Sequence, residues 1–157
     1  MIPCIQTGYC LTEFFCSSPE ETEALGENLT KTLKPGSVVA LKGGLGAGKT
    51  TLVKGIARKL GITDCITSPT YTIISEYTAN LNGHPLPFYH IDVYRLNDDN
   101  DFETTGGVEL INGNGITVIE WSERIPRSIP SGVITVEIEI TGPQDRIFRI
   151  EGIDLKI

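Results

Sequence analysis

The sequence has little of what membrane, secreted or independently nucleic-acid-binding proteins show. None of its apolar runs is long enough to cross a bilayer. A secretory signal begins with a basic region, but no lysine or arginine precedes Lys31. Its formal net charge is −7, whereas a protein that grips nucleic acid by itself shows a basic face. We therefore expect a cytoplasmic protein with no membrane partner.

Cysteines are few, and their spacing indicates neither disulfides nor a zinc site. No CxxC pair occurs, and no histidine lies at metal-ligand spacing from a cysteine. A pair of disulfides is possible on parity alone, but free thiols are the simpler interpretation for a cytosolic protein. The four cysteines are Cys4, Cys10, Cys16 and Cys65.

The chain has the length and composition of one globular domain. It contains 157 residues, of which 39% are hydrophobic and 21% charged, so it can bury an ordinary core. We predict a single domain over residues 1–157, in which residues 1–16 form an N-terminal extension without predicted structure. There are no internal repeats and no low-complexity segments.

The order of secondary structure predicts an α/β fold. A capped helix begins at Pro19 and continues to about Leu33, an apolar strand covers residues 38–41, and a second helix covers residues 50–60. Later strands are predicted at residues 72–77, 87–92, 115–121, 133–140 and 146–150, with a short helix around Phe102. This order indicates a P-loop NTPase fold with a mixed, mostly parallel sheet, helices on both faces and antiparallel edge strands.

A phosphate-binding loop follows the first strand. Residues 43–51 read GGLGAGKTT, and the flanking strand and helix both agree with such a loop. Its glycines allow backbone N–H groups to turn onto a phosphate, Lys49 would bridge the terminal phosphates, and Thr50 would coordinate Mg²⁺. The predicted nucleotide-binding residues of the loop are Gly43, Gly46, Ala47, Gly48, Lys49, Thr50 and Thr51.

Two acidic residues end later strands. Asp92 follows residues 88–91, and Glu120 follows residues 116–119. Both would project from the carboxyl edge of the sheet, where ligands bind in open α/β folds. One can hold the metal and the other can position the attacking water, and the pattern does not assign them. One of the two could also serve only as a strand-end hydrogen-bond partner.

Several neighbouring residues have two interpretations. Thr70, in SPTYT, is either part of a segment that senses the γ-phosphate or ordinary turn chemistry. Trp121 is either core or, if the strand has already ended, a wall of the nucleotide site. His90 on a strand is more often a hydrogen-bonded structural residue than a catalyst. The basic stretch 42–59 ends in three outer residues, Lys54, Arg58 and Lys59. They could attract the phosphates of a nucleotide, but the favoured interpretation is that they form a solvated face of the helix.

Four motifs together resemble one family. GGLGAGKTT, SPTYT, HIDVYRL and VIEWSER, in that order, resemble the TsaE family over roughly residues 18–149. These are small bacterial P-loop ATPases of the threonylcarbamoyladenosine tRNA-modification pathway. The resemblance implies ATP and Mg²⁺ as cofactors, slow hydrolysis by the isolated protein, and action with TsaD and TsaB on the adenosine beside the anticodon. It also implies that tRNA is reached only through that complex.

The resemblance assigns roles to residues by motif. It places magnesium residues on Thr50 and Glu120, the HxDxYR aspartate on Asp92, a switch-like threonine on Thr70 and a post-glutamate tryptophan on Trp121. By this resemblance, the catalytic residues are one from each of the four motifs, namely Lys49, Thr70, Asp92 and Glu120. A late arginine near the nucleotide would be Arg146. The chain departs from the family at its first sixteen residues and at Gly44, where many members have aspartate.

Two other functions remain as alternatives. A small-molecule or nucleoside kinase usually needs an arginine-rich lid, and no such cluster occurs among the arginines after Arg95. A GTPase switch needs an Asn-Lys-x-Asp guanine reader, and no such tetrapeptide occurs. The preferred prediction is therefore an ATPase accessory subunit that is not itself the threonylcarbamoyl transferase.

Overall fold

A single mixed sheet organises the fold. The computed structural model describes residues 11–69 and 72–153, and within those ranges seven strands form one sheet in the order β1-β7-β6-β2-β5-β4-β3. The strands are β1 (Thr12–Cys16), β2 (Val38–Lys42), β3 (Ile74–Leu81), β4 (His84–Asp92), β5 (Ile116–Glu120), β6 (Ile134–Ile140) and β7 (Arg146–Glu151). The helices are α1 (Pro19–Leu29), α2 (Lys49–Lys59), α3 (Asp99–Thr104) and α4 (Gly107–Ile111).

The sheet has a parallel centre and antiparallel edges, as the sequence predicts. β2 pairs in parallel with β5 and β6, and β5 pairs in parallel with β4. The pairs β3–β4, β6–β7 and β1–β7 are antiparallel. Among the described residues there are three pairings of each kind, so the sheet is evenly divided rather than mostly parallel. The reason is β1, which adds an antiparallel pairing at the edge that the sequence analysis did not predict.

Side-chain alternation on the central strands builds a core on each face of the sheet. Val39 and Leu41 of β2 belong to the core cluster that includes residues of α1 and α2, whereas Val38 packs in the second cluster, which includes Phe102 of α3 and Ile111 of α4. This alternation is the two-residue period of a strand buried on both faces. The predicted helices on both faces are therefore confirmed.

The first helix begins where predicted and ends earlier. The Ser18 hydroxyl accepts a hydrogen bond from the backbone N–H of Glu21 at 3.2 Å, with Pro19 at the first helical position. This satisfies one of the N–H groups that a helix start leaves unpaired. The α-helix ends at Leu29, and a single 3₁₀ turn over Thr30–Thr32 completes the segment that was predicted as helix to Leu33.

The N-terminal strand lies at one edge of the sheet. In β1, Phe14 lies opposite Phe148 of β7 and packs against the core, and Cys16 is buried beside it. Cys16 and Cys65 are free thiols, in agreement with the sequence prediction, and Cys4 and Cys10 lie outside the described residues. Within residues 11–69 and 72–153, none of the helices has the length and hydropathy needed to cross a membrane.

Candidate functional site

The phosphate loop connects β2 to α2 and is shaped by glycines with positive φ. Gly46 has φ 74° and Gly48, the residue that caps α2, has φ 104°. L-residues with a side chain rarely adopt this region, so the loop depends on glycine at these positions. The N-terminus of an 11-residue helix therefore opens directly into the loop, where free N–H groups and the positive end of the helix dipole favour an anion.

Lys49 lies inside the loop and is held by its carbonyls. Its Nζ donates to the carbonyl oxygens of Gly43 at 2.6 Å and Gly44 at 2.9 Å. The residue is 5% exposed, and burial lowers the pKa of its ammonium, against the opposing effects of Glu120, Glu123 and Asp92. The ammonium is thus a desolvated, positioned donor rather than a mobile surface charge.

The hydroxyl of Thr50 contacts the carboxylate of Glu120. Thr50 Oγ1 donates to Glu120 Oε1 at 2.8 Å, although the two residues are 70 positions apart in sequence. Glu120 is the last residue of β5 and is 2% exposed, so its carboxylate is held at the edge of the sheet beside the loop. A hydroxyl and a carboxylate in contact are oxygen donors of the kind that Mg²⁺ selects in nucleotide sites.

Asp92 lies beside Glu120 and is held by different partners. The two residues are directly paired in the parallel register of β4 and β5. Asp92 Oδ2 accepts from the hydroxyl of Ser68 at 2.6 Å, and Oδ1 accepts from the backbone N–H of Tyr94 at 2.9 Å. The two acidic residues therefore line one site and have different hydrogen-bond partners.

Trp121 belongs to the site and not to the strand. β5 ends at Glu120, and Trp121 has φ 62° and ψ 36°, an uncommon left-handed conformation for a bulky residue. The turn places its ring 3.8 Å from Lys49 Nζ and 4.8 Å from the ring of Tyr94, measured to ring centroids. A cation at this distance from an indole face is attracted by it, so Trp121 helps to hold Lys49.

These residues surround one pocket of about 460 Å³. Its lining includes residues of the phosphate loop, the acidic residues Asp92 and Glu120, and the aromatic residues Tyr94 and Trp121. Three further lining residues were not predicted from the sequence, namely Leu45, Ser68 and Arg95. The motif HIDVYRL already contains Tyr94 and Arg95, so their position directly after the strand-end acid was the available signal.

Arg146 approaches the loop from the terminal hairpin. Its guanidinium donates to the carbonyl oxygens of Gly46 at 3.0 Å and Ala47 at 3.1 Å, and also to those of Gly142 and Asp145. It is not among the residues that line the pocket. Arg146 thus supports the phosphate loop through its backbone, and its predicted contact with the nucleotide stays a prediction.

The chain is similar to known proteins over most of its length. A family model described as threonylcarbamoyl adenosine biosynthesis protein TsaE matches residues 16–148. The chain belongs to the TsaE family.

Individual relatives agree with this assignment. The chain is 43% identical over 129 residues to a Bacillus subtilis protein named tRNA threonylcarbamoyladenosine biosynthesis protein TsaE, covering 82% of this chain and 78% of that protein. The protein of that name from Aquifex aeolicus is 38% identical over 142 residues, 89% of this chain and 96% of its own. The crystal structure of Bacillus subtilis YdiB superposes with a TM-score of 0.78 at 33% identity, over 95% of this chain and 90% of that one.

The structure brings together most of the site residues predicted for this TsaE-family chain. Pocket-lining positions are occupied by Gly46, Ala47, Gly48, Lys49, Thr50, Thr51, Asp92, Glu120 and Trp121. Gly43 does not line the pocket but accepts a hydrogen bond from Lys49, and Thr70 lies outside the described residues.

The basic stretch near the loop mostly faces solvent. Lys54, Arg58 and Lys59 are exposed on α2, and Arg58 forms ion pairs of 2.6 Å with Glu23 and Glu27 of α1. The favoured interpretation of these residues as a solvated helix face agrees with these positions. Of the basic residues of α2, Lys49 alone is buried.

Proposed function

We propose that this chain is a Mg²⁺-dependent ATPase subunit required for threonylcarbamoyladenosine modification of tRNA at the adenosine next to the anticodon. The observation that carries the proposal is the contact between Thr50 and Glu120 at the opening of a phosphate loop that already holds Lys49. Family membership supplies the pathway, since relatives at 38–43% identity are named for this biosynthesis.

The donors beside the loop suit Mg²⁺. The ion favours hard oxygen ligands and is usually held by one or two protein oxygens together with nucleotide phosphates and water. Thr50 and Glu120 would hold it, because their oxygens are already in contact. When bound, Mg²⁺ would neutralise charge on the terminal phosphates during transfer to water.

The remaining residues have complementary roles. Lys49 and the loop N–H groups would bind the phosphates, and Trp121 would keep Lys49 in place and cover the pocket. Asp92 lines the same pocket but bonds to Ser68 and not to Thr50 or Glu120, and we assign it the orientation of the attacking water. Thr70 stays in the proposal as the switch-like threonine that its motif implies.

The proposal includes partners and a compartment. An acidic chain with net charge −7 is poorly suited to hold tRNA by itself, so it would act through TsaD and TsaB, which would carry out the threonylcarbamoyl transfer. The proposed location is the cytoplasm. ATP hydrolysis would then drive or reset the complex and would not be the transfer chemistry itself.

Nucleotide preference is the first test. We expect calorimetric titration of the purified chain to show binding of ATP and ADP in preference to GTP, with tighter binding in MgCl₂ than in EDTA. Lys49→Ala should abolish this binding, whereas Lys54→Ala, an exposed residue of the same helix, should leave it unchanged. A clear preference for guanine would contradict the proposal.

Reconstitution is the second test. ATP hydrolysis should increase when TsaD and TsaB are added, and modification of tRNA should require the chain. If the two proteins have no effect while a small metabolite or nucleoside becomes phosphorylated, the kinase alternative replaces this proposal.

A further inference from the structure

His90 is a fully buried histidine on β4 that the proposed chemistry has not used. It is 0% exposed and lies two residues before Asp92, so both side chains are on the same face of the sheet. Its Nε2 is 2.7 Å from Oε1 of Glu120. The Thr50 hydroxyl donates to the same oxygen at 2.8 Å.

The geometry defines which partner donates. Oε1 of Glu120 is already an acceptor for the Thr50 hydroxyl, so we assign the ring proton of His90 to Nε2, which donates to that oxygen. The other ring nitrogen, Nδ1, is buried and has no hydrogen-bond partner within residues 11–69 and 72–153. A buried polar atom without a partner is destabilising, so an apolar residue would fill this position at lower cost.

We propose that His90 is a positioning residue for the magnesium site, holding Glu120 Oε1 from within the sheet so that the orientation of the carboxylate would not depend on Thr50 alone. This inference rests on the proposed function, because it assumes that Thr50 and Glu120 hold Mg²⁺. Groups that orient a metal ligand through a hydrogen bond typically contribute 10–100-fold to metal affinity. His90 would not touch the nucleotide.

A second hydrogen-bond donor at Glu120 would fix the orientation of its carboxylate independently of Thr50. In the structure, two donors converge on Oε1 from opposite elements: Thr50 from α2 and His90 from β4. If Thr50 Oγ1 becomes a metal ligand, it uses a lone pair and keeps its proton, so its hydrogen bond to Glu120 would then depend on the position of the metal. His90 is then the donor that prevents the carboxylate from rotating, and its buried position excludes competition from water.

The test measures how strongly magnesium tightens ATP binding. Calorimetric dissociation constants for ATP in EDTA and in MgCl₂ give a ratio for each variant. We expect His90→Leu to lower that ratio about tenfold while leaving ATP binding in EDTA unchanged. His90→Gln, whose amide can reach the position of Nε2, should restore most of it, whereas His90→Asn, one carbon shorter, should not.

The control and the contrary outcomes separate this inference from the proposed function. Thr117→Val on β5 removes the other unpartnered buried polar atom reported for the described residues, on the opposite face of the sheet, and should leave the ratio unchanged. If His90→Asn and His90→Gln have equal ratios, or if His90→Leu weakens binding equally in EDTA, His90 is only structural and the inference is overturned. If the wild-type chain itself shows no magnesium dependence, the proposed function fails, and this inference with it.

Discussion

Arg146 Nη2 donates to the carbonyl oxygen of Gly46, which is 100 positions earlier in the sequence, at 3.0 Å. The same guanidinium reaches Ala47 in the loop and Gly142 in the hairpin turn. The phosphate loop is therefore attached to the terminal β6–β7 hairpin through its backbone. Four carbonyl acceptors satisfy most of the five N–H groups of the guanidinium, so Arg146 is engaged before any nucleotide arrives.

We predict that Arg146→Ala destabilises the nucleotide-free protein and weakens ATP binding indirectly. Hydrogen bonds from a charged group contribute about 1.5–3 kcal/mol, so we expect a loss of that size in the free energy of unfolding, measured by urea denaturation. Without these hydrogen bonds the phosphate loop of the variant should be less ordered. We therefore expect the variant to bind ATP about tenfold more weakly, which corresponds to about 1.4 kcal/mol.

Arg149→Ala is the matched control for that change. Arg149 lies on the same strand but faces the other way, and it pairs with Glu13 and Glu139 at the surface. Surface ion pairs contribute about 0.2–1 kcal/mol, and we expect no change in ATP affinity. If Arg146→Ala weakened ATP binding without altering the stability of the nucleotide-free protein, Arg146 would be a direct nucleotide ligand instead.

Gly44 and Gly46 both have open space at the Cβ position but differ in backbone conformation, and substitution should separate them. A Cβ built on either residue meets no atom within 4 Å, but Gly46 has φ 74° whereas Gly44 has no left-handed φ. We expect Gly46→Ala to lower the unfolding free energy by about 1–2 kcal/mol and Gly44→Ala to change it by less than about 0.5 kcal/mol. Thermal and urea unfolding would show the difference.

The open space at Gly44 also predicts tolerance of a larger side chain. Gly44→Asp, the residue that the motif resemblance implies for many family members, should be accommodated without loss of stability because nothing crowds the position. The new carboxylate would be attached next to the carbonyl that accepts from Lys49. A loss of stability equal to that of Gly46→Ala would show that backbone conformation, not charge, keeps glycine here.

The site was predictable where its information is local in sequence. The loop GGLGAGKTT, the strand-end residues Asp92 and Glu120, and the ambiguity over Trp121 each follow from a motif or a strand end within a few residues. Trp121 lines the pocket because the chain leaves the strand at that residue, a change of direction that an alternating pattern does not reveal.

Side-chain pairs between distant segments were not predictable. The contacts of Ser68 with Asp92, His90 with Glu120 and Arg146 with the loop depend on strand register and on a hairpin that folds back from the far end of the chain. Strand β1 was missed because it gains its stability from pairing with β7, 130 or more positions away.

Because α1 and α2 pack closely, replacing a helical glycine by alanine should lower the free energy of unfolding instead of raising it. A Cβ on Gly55 of α2 would collide with the backbone of Glu23 in α1. Alanine normally stabilises a helix relative to glycine by about 1 kcal/mol, but overpacking costs about 1–3 kcal/mol. We expect Gly55→Ala to be destabilising in urea unfolding, with Lys54→Ala, an exposed neighbour, close to neutral. A stabilised Gly55→Ala would contradict the close helix packing.

Glu120 and Asp92 should fail in different ways when their charge is removed. Glu120→Gln should reduce the effect of magnesium on ATP affinity by at least the roughly 10–100-fold typical of groups that only orient a ligand, because Glu120 itself would hold the ion together with Thr50. Asp92→Asn should leave that effect intact and lower the rate of hydrolysis by about 100-fold or more, as expected for a group that orients the attacking water. Calorimetry in EDTA and MgCl₂ and phosphate release with the partner proteins measure the two effects. The opposite pattern, with magnesium dependence lost in Asp92→Asn and kept in Glu120→Gln, would exchange the roles of the two carboxylates.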